Sequence, residues 1–275
     1  MSGEGVIRLF LADVDGALVT NEKLLTPGAL AAAKALSRAG VKLAITSGRP
    51  PRGMSMLIAP LELSTPISGF NGGVLTDPDL TVIETHTLSA EAAKKALEMI
   101  LAAGLDAWLY TPTDWIIRDA GAAHVAREAW TVKFDPVVKS TFSDADLDQA
   151  VKIVGVSDDL AKVAACETKV SDALGKAASA RRSQPYYLDV TDSHANKGAV
   201  VEMLSLRLRI PAAEIATMGD MPNDTLMFAR SGLSIAMGNA SDEVKAKAGV
   251  VTTSNEAEGF AHAVETFVLP RAPGI

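Results

Sequence analysis

The 275-residue sequence predicts an α/β protein: a doubly wound parallel-sheet (Rossmann-like) core with an inserted α/β cap domain. Three observations carry that prediction. Short apolar strands alternate with helical segments at both ends of the chain, the pattern of a parallel sheet with right-handed crossovers. Several of those strands run into acidic, hydroxyl-bearing or glycine-rich loops, where sheets of this kind place their sites. Between the two ends the rhythm changes, and the stretch holds all three Trp and all three Tyr.

Each element has its local reason. Val6–Ala12 is apolar enough for a buried strand, and Asp13-Val14-Asp15-Gly16 follows it. Pro27 to Ala39 reads as a helix with Pro at its start and Gly40 at its stop. Val41–Thr46 is a second strand, ending in Ser47-Gly48-Arg49-Pro50. A short strand at Pro66–Gly69 leads to Asn71-Gly72-Gly73, and Val74 to Thr87 reads as a hairpin around Asp77-Pro78-Asp79.

After Leu88 the expected series is a helix capped by Ser89, strands at Asp106–Tyr110 and Trp115–Arg118, and a helix over Ala122–Trp130. A strand at Val151–Val156, a helix over Asp158–Leu174 and a strand at Tyr186–Val190 complete it. The original alternation then resumes: helix Asn196–Leu208, strand Ile215–Met218, helix Pro222–Arg230 and strand Leu233–Met237. Helices over Ala240–Ala248 and Glu256–Val268 flank a short Val250–Thr252 strand, and Pro270 to Ile275 reads as a loose tail. The division that follows is a core in two segments, 1–87 and 191–275, with an inserted domain at 88–190.

Composition narrows the function. Hydrophobic residues make up 48% and charged ones 21%, so a proper core is available. A net charge of -7 argues against a nucleic-acid partner, though not against a small anionic substrate met by a local positive site. The single cysteine, Cys166, forbids an intrachain disulfide and suits a reducing compartment. The start of the chain lacks a signal-peptide pattern and no stretch is long enough to span a membrane, so a cytoplasmic monomer or homodimer is expected. The four histidines lack ligand spacing, which speaks against zinc.

The polar strand ends carry the chemistry. Asp13 and Asp15 close a hydrophobic strand with two negative charges that nothing nearby in sequence neutralises. A divalent cation would resolve that; an exposed Asx turn is the plainer alternative. Ser47 and Gly48 offer a hydroxyl and backbone N–H donors, as phosphate-binding loops do, or simply a turn. Lys197 at a helix start is either solvated or placed there against the helix dipole for a reason. Asp220, in Gly219-Asp220-Met221-Pro222-Asn223-Asp224, is a helix cap or a third metal-site acid, with Asp224 near the same loop. In one shared sheet these ends converge, and three carboxylates, a hydroxyl and an ammonium suit phosphoryl transfer. No His or Cys is grouped to serve as nucleophile, so attack by a carboxylate is the natural route.

Taken in order, these motifs resemble those of the haloacid dehalogenase-like hydrolases, specifically the Cof-type sugar-phosphate phosphatases. The likeness runs through Asp13-Val14-Asp15-Gly16, Ser47-Gly48-Arg49-Pro50, Lys197-Gly198 and the Gly219–Asp224 segment. Asn71-Gly72-Gly73 matches a further signature, usually Asn-Gly-Ala. The resemblance implies a magnesium-dependent phosphatase acting on a small phosphorylated metabolite, a sugar phosphate in the first instance. It implies Asp13 as nucleophile and metal ligand, and Asp15 as acid and base that also lends its backbone carbonyl to the metal. Ser47, Gly48, Lys197 and Asn223 would hold the phosphoryl group and Asp220 would complete the metal's ligands. Asp224, Arg49 and Asn71 would support them.

One position departs from the pattern: Ala17 stands where the family has Thr, removing a hydroxyl that steadies the general acid. Such a bond is worth about 1 kcal/mol. A phosphomutase on the same scaffold, or a non-catalytic phospho-acceptor or ligand-binding module, are the alternatives. The inserted domain would cover the site and choose the substrate. Its aromatic residues, Trp108, Tyr110, Trp115, Tyr186 and Tyr187 among them, are expected to pack rather than bind.

Overall fold

The computed structural model describes residues 5–274. Its strands, in chain order, are β1 Leu9–Asp13, β2 Lys42–Thr46, β3 Ile67–Gly69, β4 Val74–Thr76 and β5 Val82–Thr85. Then come β6 Asp106–Tyr110, β7 Trp115–Ile117, β8 Val137–Val138, β9 Lys152–Val156, β10 Ala178–Gln184 and β11 Tyr187–Asp192. The last are β12 Ile215–Gly219, β13 Leu233–Ala236 and β14 Val250–Val251.

Two sheets result. The first has eight strands in the order β14-β13-β12-β1-β2-β3-β4-β5, parallel through β3 and antiparallel at β4 and β5. The second has six, in the order β10-β11-β9-β6-β7-β8, and all of its strands lie between Asp106 and Asp192. Among the described residues, no helix is long and apolar enough to cross a membrane.

β1 sits in the middle of the first sheet and shows why it is doubly wound. Leu9 and Leu11 pack with Val200, Val201 and Leu204 of helix Lys197–Leu208 on one face. Phe10 and Ala12 pack on the other face with Ala29, Ala33 and Leu36 of helix Pro27–Arg38, and Phe10 stacks on Phe260. A strand buried on both faces has to be apolar at every position, which is how β1 reads. Its neighbours are β2 on one side and β12, more than two hundred residues later in the chain, on the other. The winding order of the strands therefore reverses across β1, and the crevice beyond its carboxyl end is the switch point of the sheet.

In the second sheet, helices Ala90–Ala102 and Leu160–Leu174 cover one face, packing on Ala107, Leu109, Ile153, Leu188 and Val190, with Cys166 buried among them. The opposite face gathers Trp108, Tyr110, Trp115 and Tyr187 with Phe70, in the turn after β3, and Val74 of β4. Trp108 meets both Trp115 and Tyr187 edge-on with centroids 5.2 Å apart, and Tyr110 lies 5.5 Å from Phe70. The expected packing of these aromatics is what the structure has; Trp130 is the exposed exception.

Several expectations need correcting. β10 was not foreseen: Ala178–Gln184 reads Ala-Ser-Ala-Arg-Arg-Ser-Gln, too polar and alternation-poor for a buried strand, yet it pairs along β11 as the sheet's edge. The Pro222–Arg230 helix is a 3-10 turn at Pro222–Asp224 followed by Thr225–Phe228, because Asp224 folds back to cap the turn. The Ala122–Trp130 helix starts later, at Val125, and runs to Val132. The tail is not loose as far as it is described: Ile7 N–H donates to the Arg271 carbonyl and Ala272 is buried. Ile275 lies outside the described residues.

Candidate active site

Asp13 is the last residue of β1, and its side chain points into the switch-point crevice. Only 4% of it is exposed. Lys197 opens the helix that packs beside β1 and places its ammonium 2.5 Å from Asp13 Oδ1 and 2.5 Å from Asp224 Oδ1. At 2% and 0% exposure, Lys197 and Asp224 are more deeply buried than a helix-start lysine or a capping acid would need to be. Asn196 caps the helix through its side chain, so Lys197 is free for this inward role.

The loop after β12 supplies the other acids. Asp224 Oδ2 accepts the backbone N–H groups of Asp220 (2.9 Å) and Met221 (2.8 Å), which folds the loop tightly. Gly219 is required there, since a Cβ would stand 2.3 Å from Asp224 Cγ. Gly16, at φ +77°, is required on the facing loop, where a Cβ would meet Asp220 Oδ2 at 2.3 Å. Asn239, after β13, ties the two loops by donating to the Gly16 carbonyl (2.9 Å) and to Asp220 Oδ2 (3.2 Å).

Asp13, Asp220 and Asp224 thus present carboxylate oxygens within 4.8 Å of one another. Burial raises the Asp13 pKa well above its ordinary value, Asp224 and Asp220 add to the rise, and Lys197 opposes it. Asp220 is pushed up to about 6 by burial and then by Asp224. Burial alone would depress Lys197, but Asp13 and Asp224 outweigh it and raise it. One ammonium among three clustered carboxylates leaves negative charge in excess. The Asp220 Oδ1 atom is also buried without a hydrogen-bond partner among the described residues. An orphaned hard oxygen beside Asp13 fits a small divalent cation.

Asp15 faces a different way. Arg49 grips both its oxygens, Nε to Oδ2 at 2.7 Å and Nη2 to Oδ1 at 2.6 Å, and Lys23 Nζ adds a 2.7 Å contact to Oδ1. The Ser47 hydroxyl donates to Oδ2 at 3.4 Å and accepts from Arg49 N–H at 3.1 Å. Burial resists ionisation here, but Arg49 and Lys23 prevail and hold the Asp15 carboxyl down at about 2. The carboxylate that Ala17 leaves without a threonine hydroxyl is therefore well supplied with donors.

Asn71 sits with Phe70 in consecutive left-handed conformations (φ 57° and 52°), held by Asn71 N–H to the Ser47 carbonyl and Phe70 N–H to the Arg49 carbonyl. Its side-chain oxygen accepts from Asn223 Nδ2 at 3.1 Å, and its amide lies close over Gly48. Every residue singled out in the sequence is thus in one neighbourhood at the carboxyl ends of β1, β2, β3 and β12. Lys23, Asn239 and Thr131, whose carbonyl accepts from Arg49 Nη1 at 3.0 Å, were not foreseen. Asn239 was within reach, since it follows β13 as Asp220 follows β12; Lys23 and Thr131 sit in segments with no such marker.

An acidic cluster with one buried lysine at the switch point of a doubly wound sheet defines a class that comparison with known proteins identifies. Residues 10–264 match the family model for haloacid dehalogenase-like hydrolases, and the chain belongs to that family. It is 26% identical to the 5-amino-6-(5-phospho-D-ribitylamino)uracil phosphatase YwtE of Bacillus subtilis, covering 94% of this chain and 97% of that protein. It is likewise 26% identical to the pyridoxal phosphate phosphatase YbhA of Escherichia coli, over 95% and 99% of the two chains. Among solved structures, a haloacid dehalogenase-like hydrolase from Bacteroides thetaiotaomicron superposes with a TM-score of 0.87 at 24% identity, covering 94% of this chain and 98% of that one. The fold is therefore that of the family throughout.

Proposed function

We propose that this hydrolase is a magnesium-dependent phosphatase that cleaves a small phosphorylated metabolite, a sugar phosphate in the first instance, through an aspartyl-phosphate on Asp13. Relatives named as phosphatases over nearly their whole length support the phosphomonoester chemistry. The observation that carries the reading is the Asp13–Lys197–Asp224 contact beside the orphaned Asp220 oxygen.

In this reading Asp13 attacks phosphorus, the bond to the leaving oxygen breaks, and Asp15 gives that oxygen a proton. Asp15 then takes a proton from the water that cleaves the acyl phosphate, restoring Asp13 and releasing inorganic phosphate. Lys197 holds Asp13 in place and offsets charge on the transferring group. Ser47, Gly48 and Asn223 supply hydrogen-bond donors to its oxygens, with Asn71 orienting Asn223. Asp13, Asp220 and the backbone carbonyl of Asp15 would hold the cation, whose charge would neutralise phosphate oxygens. Residues 88–190 act as the cap over core segments 1–87 and 191–275, although β11 runs on to Asp192.

Phosphate release from a panel of phosphomonoesters, with and without magnesium, tests this. Wild-type protein is expected to turn over only with magnesium, and Asp13→Asn to lose turnover while its thermal melt stays cooperative. Unchanged turnover in Asp13→Asn would overturn the nucleophile. Isomerised sugar phosphate without free phosphate would make the protein a mutase instead.

A further inference from the structure

The three clustered carboxylates differ in how many oxygens they have left. Asp224 has both engaged: Oδ1 accepts from Lys197, and Oδ2 from the backbone N–H groups of Asp220 and Met221. Asp13 gives Oδ1 to Lys197. Asp220 is divided by Asn239, whose Nδ2 donates to Asp220 Oδ2 at 3.2 Å and to the Gly16 carbonyl at 2.9 Å. The other oxygen, Asp220 Oδ1, is the buried one with no hydrogen-bond partner among the described residues.

Asn239 is held to that task from behind. Its Oδ1 accepts the Asn255 N–H at 3.1 Å, so its NH2 group has to face Asp220. The flipped amide would set NH2 against that N–H, and oxygen against the Gly16 and Asp220 oxygens. Asn255 opens the Asn255–Ala257 turn and is only 6% exposed. Its own Nδ2 donates to the Val19 carbonyl and to Asn21 Oδ1, each at 3.2 Å, and beside it the Gly238 N–H donates to the Thr253 carbonyl at 3.0 Å. Asn239 itself is exposed, so water can replace its hydrogen bonds and the fold does not depend on them. Water cannot replace a donor fixed in one direction.

We infer, resting on the cation site of the phosphatase reading, that Asn239 is a positioning residue that keeps Asp220 a one-oxygen ligand and so sets the site for magnesium over calcium. Magnesium demands near-ideal octahedral geometry at about 2.0–2.1 Å, which single carboxylate oxygens satisfy. Calcium takes roughly six to eight oxygens at longer range and accepts both oxygens of one carboxylate. Asp220 can offer both only by turning Oδ2 towards the cation, and that oxygen is turned to Asn239. Asp224, with neither oxygen left over, is the scaffold of the cluster and not a ligand.

The test loads metal-free protein with Mn2+, follows its EPR signal and displaces it with Mg2+ or Ca2+, which reads both affinities without turnover. Wild type is expected to bind Mg2+ more tightly than Ca2+. Asn239→Ala removes the donor, and Asn239→Asp keeps the shape but turns an acceptor on Asp220. Each should lower the preference by about tenfold, the scale of loss usual when a metal ligand's supporting partner is removed. A purely structural role would weaken both cations alike and leave the ratio where it was. Wild-type preference for Ca2+ overturns the inference, as does a ratio unmoved in either variant. Unchanged Mn2+ binding by Asp220→Asn overturns it too, since Asp220 would then be no ligand. If wild type binds neither Mn2+ nor Mg2+, the cation of the phosphatase reading falls and takes this inference with it. Cation binding with an unmoved ratio removes this inference alone.

Discussion

Arg49 holds Asp15 by both carboxylate oxygens while its remaining nitrogen donates to the Thr131 carbonyl, so one guanidinium joins the proposed acid to a helix of the inserted region. A bidentate pair of this kind is both strong and geometrically specific. It keeps Asp15 ionised at neutral pH, with its carboxyl at about 2, and proton delivery then requires that grip to loosen.

Arg49→Met is expected to let the Asp15 pKa rise. The alkaline limb of the kcat/KM profile for an alkyl phosphate should then move to higher pH. The profile for p-nitrophenyl phosphate, whose leaving group needs no proton, should stay in place. Equal movement of both profiles would show that Arg49 acts on something other than the acid.

Removing the ammonium of Lys197 leaves Asp13 and Asp224 buried and unpaired. Lys197→Met is expected to cost about 3–5 kcal/mol in urea unfolding without magnesium, the usual penalty for breaking a buried pair from one side. Magnesium should recover part of that loss, because it takes over the neutralisation. A variant as stable as wild type would mean the carboxylates are not both charged in the folded protein.

The pH dependence of stability has a definite sign in metal-free protein. Asp220 titrates at about 6 when folded against 3.8 ordinarily, and Asp13 is also raised. Between those values the folded state binds more protons, so stability falls as pH rises from about 4 to 6. Asp15 runs the other way, its contribution present above about 4 and lost as pH drops towards 2. Melting temperature without magnesium should therefore be higher at pH 5 than at pH 7.5, and added magnesium should raise it more at pH 7.5. A flat profile would contradict the clustering of the acids.

Gly16→Ala is expected to weaken magnesium activation far more than it weakens the fold. Its Cβ strikes a side-chain oxygen of Asp220, which can swing away, and φ +77° adds strain of about 1–3 kcal/mol in a surface loop. The magnesium concentration giving half-maximal turnover should rise at least tenfold. No change in that concentration would show that Asp220 has no part in holding the cation.

Much of the site was legible because its chemistry sits at strand ends. Asp13, Ser47 and Asp220 follow apolar runs that can only be buried strands, so their convergence follows from a shared parallel sheet. The part that stayed hidden depends on side chains crossing between elements. Nothing local marks Lys23 as a partner of Asp15, or Glu128 as a partner of Tyr110. β10 escaped for another reason: an edge strand needs backbone pairing on one side and little apolar alternation, and sequence pattern reports only the latter.

β1 cannot finish its pairing until β12 exists, some two hundred residues later in synthesis. A nascent chain at that stage carries a fully apolar strand with one hydrogen-bonding edge unmet, beside β2 alone. Loop closure over so long a span makes this sheet slow to complete, and the open edge is a template for misassociation in the meantime. The centrality that gives Asp13 its position thus leaves that edge unpaired in the growing polypeptide until Ile215–Gly219 has been made.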